Sequence, residues 1–414
     1  MNIIVLGAGV IGVTSAWYLH QAGHHVTVVE RNLEAASETS FANGGQISVC
    51  HSQPWAQPGA LPALIKSLRT PLAPLRWRAH SDADFWQWCA RFAQQCTRAH
   101  SQQNMARLIE LGLHSRTELQ HLRAQLKLDY QQRSCGILHL YSQRQSLQAG
   151  RAAAEQMTAL GCPRRALSRN ELIALEPALI HAPNLLGGTF TPDDESGDAR
   201  AFTRALAAEL HRRGVVFHYG HTVTALRARG NKIQHIEARN AHGQPQQWQP
   251  DAVVIAAGCA SPALVRPLGL RLWIQPAKGY SLTVPVKAST LGYQRSLIDD
   301  EAKLVFSRFG DHLRIAGTGE LCGFDLSLDP RRCEQLRARL RYWFGDIADD
   351  SAAQAWCGLR PATPSNVPYL GASAYANLWL NCGHGTLGWT LACGSAQVLS
   401  DLINGKRAQV SWVQ

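Results

Sequence analysis

The chain has 414 residues, is 45% hydrophobic and carries a formal net charge of +11. That is ample apolar material for a large core, and the length amounts to two or three domains' worth of chain. There is no run of about 18 uncharged apolar residues, so a transmembrane helix is excluded, and the 11 scattered cysteines form no CxxC pair and imply no disulfide framework.

The positive charge leaves three readings: nucleic acid, an anionic membrane surface, or an Arg-rich soluble surface. No block of Lys and Arg stands out, so no nucleic-acid partner is expected. Residues 55–78 mix Trp, Leu and Pro with Lys66, Arg69, Arg76 and Arg78, a composition that suits a lipid interface. The chain enters its first structural unit without a basic, apolar leader, so a cytoplasmic location is expected.

Residues 5–30, VLGAGVIGVTSAWYLHQAGHHVTVVE, read as strand, tight turn, helix, turn and strand. Gly7 permits the sharp turn, Gly9 lets backbone approach a pyrophosphate, and Gly12 lets the helix pack closely on the strand. The helix N-terminus offers unpaired N–H groups to phosphate, and Glu30 ends the second strand where a carboxylate can hold a ribose. This is a dinucleotide site, with FAD and NAD both open at this point. The polar loop ETSFANGGQIS (38–48) follows, with Thr39, Ser40, Asn43, Gly44 and Gly45 able to wrap a pyrophosphate.

Helical periodicity runs through 82–129, with Trp86, Cys89, Phe92 and Cys96 on one stripe. GILHLY (136–141) reads as a strand, and 146–160 as a helix. The acidic stretch TPDDE reads as a loop or cap and leads to a helix over 199–213. VVFHYG, TVTALRAR and KIQHIEAR read as three short strands. AVVIAAG is a buried strand ending at Ala257 and Gly258, and strands alternate with turns over 273–320. Near the end, NLWLNC feeds Gly383, His384, Gly385, Thr386, Leu387 and Gly388, then a long helix. A helix end aimed at the N1 and O2 edge of a reduced flavin stabilises its negative charge, which nicotinamide does not require. That second glycine turn favours FAD.

Parallel-sheet material at 3–30, 251–258 and 378–383 is interleaved with antiparallel material, so the expected class is α/β (α+β overall) with two discontinuous domains. The boundaries expected are 1–85, 195–265 and 350–414 for cofactor binding, with 86–194 and 266–349 for substrate. No His, Cys or Asp set has ligand spacing, so no metal is expected.

Taken together, GAGVIGVTSAWYLHQAGHHVTVVER, ETSFANGGQIS, TPDDESGDARAFT, KGYSLTVP, SRFGDHLRIAGTGE, GLRPATPSNVPYLG and NLWLNCGHGTLGWTLACGSAQVLSDL resemble the D-amino acid dehydrogenase branch of the FAD-dependent D-amino acid oxidase/glycine oxidase superfamily. The resemblance covers nearly the whole chain in order. It implies noncovalent FAD in a Rossmann-like domain interleaved with an antiparallel substrate domain. It implies oxidative deamination of D-amino acids to 2-oxo acids and ammonia by hydride transfer to flavin. Electrons would pass to a membrane quinone or other respiratory-chain acceptor, with peripheral contact at the cytoplasmic face of the inner membrane. It extends the cofactor contacts to Val10, Ile11, Arg31, Gln46, Ile47 and Val223. Arg360 in GLRP is the implied carboxylate anchor, because a guanidinium binds carboxylate bidentately. Tyr280 and Lys278 in KGYS, Arg308 in FSRF, and His51 and His384 are further candidates. Cys357, beside GLRP, is not expected to tether the flavin. Val49-Cys50-His51 stands where the branch has Pro-Gly-Tyr, and Ser365 where it has Asp. The first change keeps a secondary-amine substrate such as hydroxy-D-proline, or an oxidase reaction, in view.

Overall fold

The structure is a computed structural model that describes residues 1–67, 70, 72–78, 82–287 and 293–413. Two sheets dominate it. The first has six strands in the order Tyr369–Ala372, Leu378–Cys382, Ala252–Ile255, Asn2–Leu6, His25–Val29 and Val216–His218. All pairs are parallel except the edge strand Tyr369–Ala372. The strands Asn2–Leu6 and Ala252–Ile255 are apolar on both faces because both faces are covered. The helix Val10–Gln21 is buried nearly all round between the helices Ala199–Arg212 and Gly388–Ile403. Asp198 caps the former by accepting from the Arg200 and Ala201 amides.

The second sheet has nine strands. Its order runs Gln354–Ala362, Gln275–Pro285, His312–Leu321, Leu304–Phe309, Ser296–Asp299, Ile137–Tyr141, Gly187–Thr191 and Arg165–Ser168, with Leu75–Trp77 paired to His312–Leu321. Helix Pro330–Phe344 covers one face, burying Leu336, Leu340 and Trp343 against Tyr280, Leu282, Phe306 and Ile315. The loop at 43–48 presses on the other face. A Cβ on Gly44 would lie 2.4 Å from Val305 Cγ2, and one on Gly45 2.1 Å from Phe309 Cζ.

Long-range pairing sets where three stretches read from the sequence lie. Val216–His218 joins the parallel sheet beside His25–Val29, while Thr222–Arg229 and Lys232–Arg239 form a separate meander with Pro245–Trp248. Gln354–Ala362 is a strand of the nine-stranded sheet, in antiparallel register with Gln275–Pro285, although it falls within the 350–414 cofactor segment. Helix Arg98–Leu126 packs on Gly388–Ile403 of the parallel-sheet layer, although it falls within the 86–194 substrate segment. Arg69 of the 55–78 stretch lies outside the described residues.

Candidate active site

The first glycine turn is shaped by contact. Gly7 has φ +109°, and a Cβ there would meet the Ala256 carbonyl oxygen at 2.7 Å. A Cβ on Gly12 would lie 1.8 Å from the Gly7 carbonyl oxygen. Gly9 differs: a Cβ there would meet only Ser40 Oγ, at 3.6 Å. Helix Val10–Gln21 begins at Gly9 with no side-chain cap, and the Val10 amide donates to Ser40 Oγ at 3.1 Å. Room beside an uncapped helix N-terminus fits a diphosphate. Glu30 is fixed by the Ala8 amide at 2.7 Å and by the Asn32 amide and Nδ2 at 2.8 and 2.7 Å. Arg31 forks onto Glu38 at 2.6 and 2.7 Å, which clamps the start of the polar loop.

That loop is tied to the sheet. Thr39 donates to the Leu359 carbonyl at 2.7 Å, one residue from Arg360. Asn43 Oδ1 accepts from the Gly45 amide, and Gln46 Nε2 donates to the Leu297 carbonyl. Gln46–Ile47 pairs with Glu195–Ser196. The TPDDE segment caps this turn: buried Asp194 accepts from the Ser48 hydroxyl at 2.6 Å and the Val49 amide at 3.0 Å. Burial pushes the Asp194 pKa up. Val223 packs in the apolar cluster beside Ile4 and Val29.

The two later glycine turns flank the same region. Gly258 has φ +52°, and Cys259 Sγ contacts the Leu359 carbonyl at 3.5 Å. Gly383 has φ +84°, and a Cβ on it would lie 2.7 Å from Thr363 Cγ2. Gly385–Leu387 makes one 3-10 turn, with Thr386 exposed and Leu387 buried. Helix Gly388–Ile403 follows without a side-chain cap. His384 is buried with Nε2 3.2 Å from Ser395 Oγ, and burial pulls its pKa down to about 3. Its ring is bonded to the helix that follows.

Arg360 stands on the sheet face that meets the loop. Its Nη1 donates to the Thr318 carbonyl at 2.6 Å and its Nη2 to the Gly317 carbonyl at 3.4 Å. Among the described residues no carboxylate lies within ion-pair distance of it, and burial pulls its pKa down to about 10. The guanidinium lies across Gly279, where a Cβ would fall 2.2 Å from Nη1. Ser281, two residues on along the same face, has a buried Oγ without a partner, as does Thr318 Oγ1 at the strand bulge. A half-buried cation bonded to carbonyls, on a face with unsatisfied buried hydroxyls, is suited to a carboxylate ligand. Sequence reading missed Gly279, Ser281 and Thr318. The alternation in KGYS could have flagged the first two; the left-handed Thr318, at φ +57°, has no sequence signal.

The same alternation corrects Lys278 and Tyr280. They point to the opposite face, under helix Pro330–Phe344. Lys278 Nζ lies 3.0 Å from Asp325 and 3.6 Å from Glu320, while the Tyr280 hydroxyl and Arg332 Nε each lie 3.2 Å from Glu320. Arg308 is corrected likewise. Its neighbour Ser307 donates to the Gly44 carbonyl, so Arg308 turns away and bonds the Gly310 and Tyr293 carbonyls. Replacing Glu320 with Ala strands the buried Arg332 guanidinium and leaves Lys278 with Asp325 alone, and is expected to cost about 3–5 kcal/mol of stability. Tyr280→Phe is expected to cost about 1 kcal/mol. Thermal melts and steady-state kinetics check this: both variants keep the parent KM, and a raised KM in Tyr280→Phe returns that hydroxyl to the substrate.

His51 packs on His139 with ring centroids 6.0 Å apart. Four strands separate the His139 strand from the Arg360 strand. Burial lowers the pKa of both rings, that of His139 to about 4.

Comparison with known proteins agrees with this geometry. The family model for FAD dependent oxidoreductases, DAO, matches residues 2–402. The D-amino acid dehydrogenase of Dechloromonas aromatica is 48% identical over 410 residues, covering 99% of this chain and 98% of that protein. That of Paramagnetospirillum magneticum is 46% identical, covering 99% and 97%. Among solved structures, glycine oxidase from Geobacillus kaustophilus superposes with a TM-score of 0.76 at 20% identity, covering 99% of this chain and 96% of that one. L-proline dehydrogenase from P. horikoshii superposes at 0.75 and 16% identity, covering 98% and 94%. Those two likenesses speak for the fold, and the family match with its near full-length relatives goes further: this chain belongs to the FAD-dependent oxidoreductase family.

Proposed function

We propose that this chain is an FAD-dependent dehydrogenase that oxidises D-amino acids to 2-oxo acids and ammonia. The observation that carries the reading is Arg360, a half-buried guanidinium with carbonyl partners and, among the described residues, no acid. The names of the relatives supply the substrate class. The segments of the parallel sheet hold the cofactor, through Gly7, Gly9, Gly12 and Glu30 on one side and Ala257, Gly258 and 383–388 on the other. The nine-stranded sheet carries substrate on its loop-facing side.

Bound FAD supplies the hydride acceptor. Arg360 binds the substrate carboxylate and orients Cα, aided by the Ser281 and Thr318 hydroxyls. The 39–48 loop closes over the site and excludes water. No general base is required of the chain, because solvent can take the amine proton before Cα is oxidised.

Electrons pass to a quinone at a lipid surface. Ile65 is 64% exposed on helix Ala60–Ser67, which packs on strand Leu75–Trp77. Phe324 and Leu326, at 64% and 57%, follow the strand paired with Leu75–Trp77. This apolar edge, with Lys66 on the same helix, supports peripheral contact.

One anaerobic experiment tests both parts. D-alanine, D-proline and 4-hydroxy-D-proline are added singly while the flavin band near about 450 nm is followed. Vesicles carrying a quinone are then added. Bleaching by D- but not L-isomers, with colour restored by the vesicles, is the expected result. No bleaching by any D-amino acid in FAD-loaded protein overturns the substrate. Recovery only on admitting oxygen, with peroxide formed, makes the protein an oxidase.

A further inference from the structure

Sequence spacing holds no metal-ligand set, yet the fold assembles one. His51 follows the flavin-side loop, His139 lies on strand Ile137–Tyr141, and Asp300 follows strand Ser296–Asp299. The pairing of Ile298 with His139 brings Asp300 to the same end of the sheet. One ligand atom from each of the three residues lies within 4.8 Å of the others. His139 Nδ1 is 2.8 Å from Asp300 Oδ2, while its Nε2 is buried without a partner. A buried imidazole nitrogen with nothing to bond marks a place where something else binds. Asp300 Oδ2 also accepts from the Tyr141 hydroxyl at 2.7 Å. Two cations stand further off, Arg164 at 3.7 Å and Lys303 at 3.8 Å. Arg164 spends its hydrogen bonds on Thr189 Oγ1 and the Tyr141 hydroxyl, so its pairing with the carboxylate is by charge at 3.7 Å, without a hydrogen bond.

We propose that His51, His139 and Asp300 bind a divalent transition-metal ion, with zinc the best match. Two imidazole nitrogens and one carboxylate oxygen are zinc ligand types, and a three-residue set leaves a position for water. Ligand atoms around a tetrahedral zinc sit about 3.4 Å apart, from bonds of about 2.1 Å. Ligand atoms that lie within 4.8 Å of one another can draw in to that spacing when His51, which is only partly buried, turns. Arg164 and Lys303 repel the ion, which makes its binding weaker than at a closed structural site. The ion would tie the tail of the loop to the sheet, and its place in the fold is independent of the substrate assigned above.

The test uses tag-free, FAD-loaded protein stripped with EDTA and titrated with Co²⁺ alone, followed by its visible ligand-field band. One equivalent per chain, with an intense band displaced by Zn²⁺, is expected. His51→Gln and Asp300→Asn should each weaken binding at least tenfold while the flavin spectrum stays that of the parent. His51 is the safer position, since its substitution disturbs a partly exposed ring. No saturable band up to millimolar Co²⁺ overturns the site. So does an unchanged affinity in His51→Gln protein with a parental flavin spectrum, which would place the ion on other histidines.

Discussion

Replacing Arg360 with Ala is expected to lower kcat/KM for a D-amino acid by about 10²- to 10³-fold, mostly through KM. A hydrogen bond to a charged group contributes about 1.5–3 kcal/mol, and a forked pair is not fully additive, so a loss of about 3–4 kcal/mol follows. At about 1.4 kcal/mol per factor of ten, that is the range given. The carboxylate keeps its charge from bound substrate to transition state, so the lost contact is of the uniform kind that acts on KM. Part of the effect falls on kcat, because a substrate held less firmly presents Cα less often. Arg360→Lys should recover part of the loss, since a point charge replaces the fork. Stability separates binding from structure. A guanidinium buried for folding would have an acid partner, and its removal would destabilise. Among the described residues this one has the Thr318 and Gly317 carbonyls and no acid, so the melting temperature of Arg360→Ala should stay level or rise. Steady-state kinetics with thermal melts decide it. A KM within threefold of the parent would remove Arg360 from the site.

What the sequence reveals about this site divides by distance along the chain. Gly7, Gly9, Gly12 and Glu30 are legible because strand, turn, helix and strand fall within one short stretch, and each glycine answers a local demand. The later turns at Gly258 and Gly383 are legible for the same reason. Faces of the large sheet are not, because parity is set by partners far away. Lys278 and Tyr280 sit in a motif that reads as substrate-binding, yet a bulge between them and the opposing strand, and the register with Gln354–Ala362, send both toward Glu320. Gly279 looks like a spacer in the sequence. Its function appears only once Arg360 lies across it. His51, His139 and Asp300 come from separate segments, so no spacing rule can join them.

Gly12→Ala is expected to have the largest effect of any substitution in the cofactor turn, and Gly9→Ala shows why. At Gly12 the added Cβ would sit 1.8 Å from a backbone carbonyl oxygen, which no rotamer change relieves. The helix would have to move off the strand, although it is packed between two other helices. A cost above about 4 kcal/mol is expected, the range reserved for core overpacking and backbone conflict. The protein should lose FAD and melt on the order of 10 °C lower, from about 2–4 °C per kcal/mol in smaller domains. Gly9 has an ordinary backbone, with φ −71°, and a Cβ there touches only Ser40 Oγ at 3.6 Å. The fold tolerates it, so the FAD-free protein should melt with the parent. The methyl would nonetheless stand in the room beside the helix N-terminus, so FAD binding should weaken by about 10²-fold, about 3 kcal/mol of lost phosphate contact. Melting of the FAD-free proteins and FAD titration separate the two effects. Parental FAD affinity in Gly9→Ala would mean that the diphosphate does not pass over this turn, whatever the fate of Gly12→Ala.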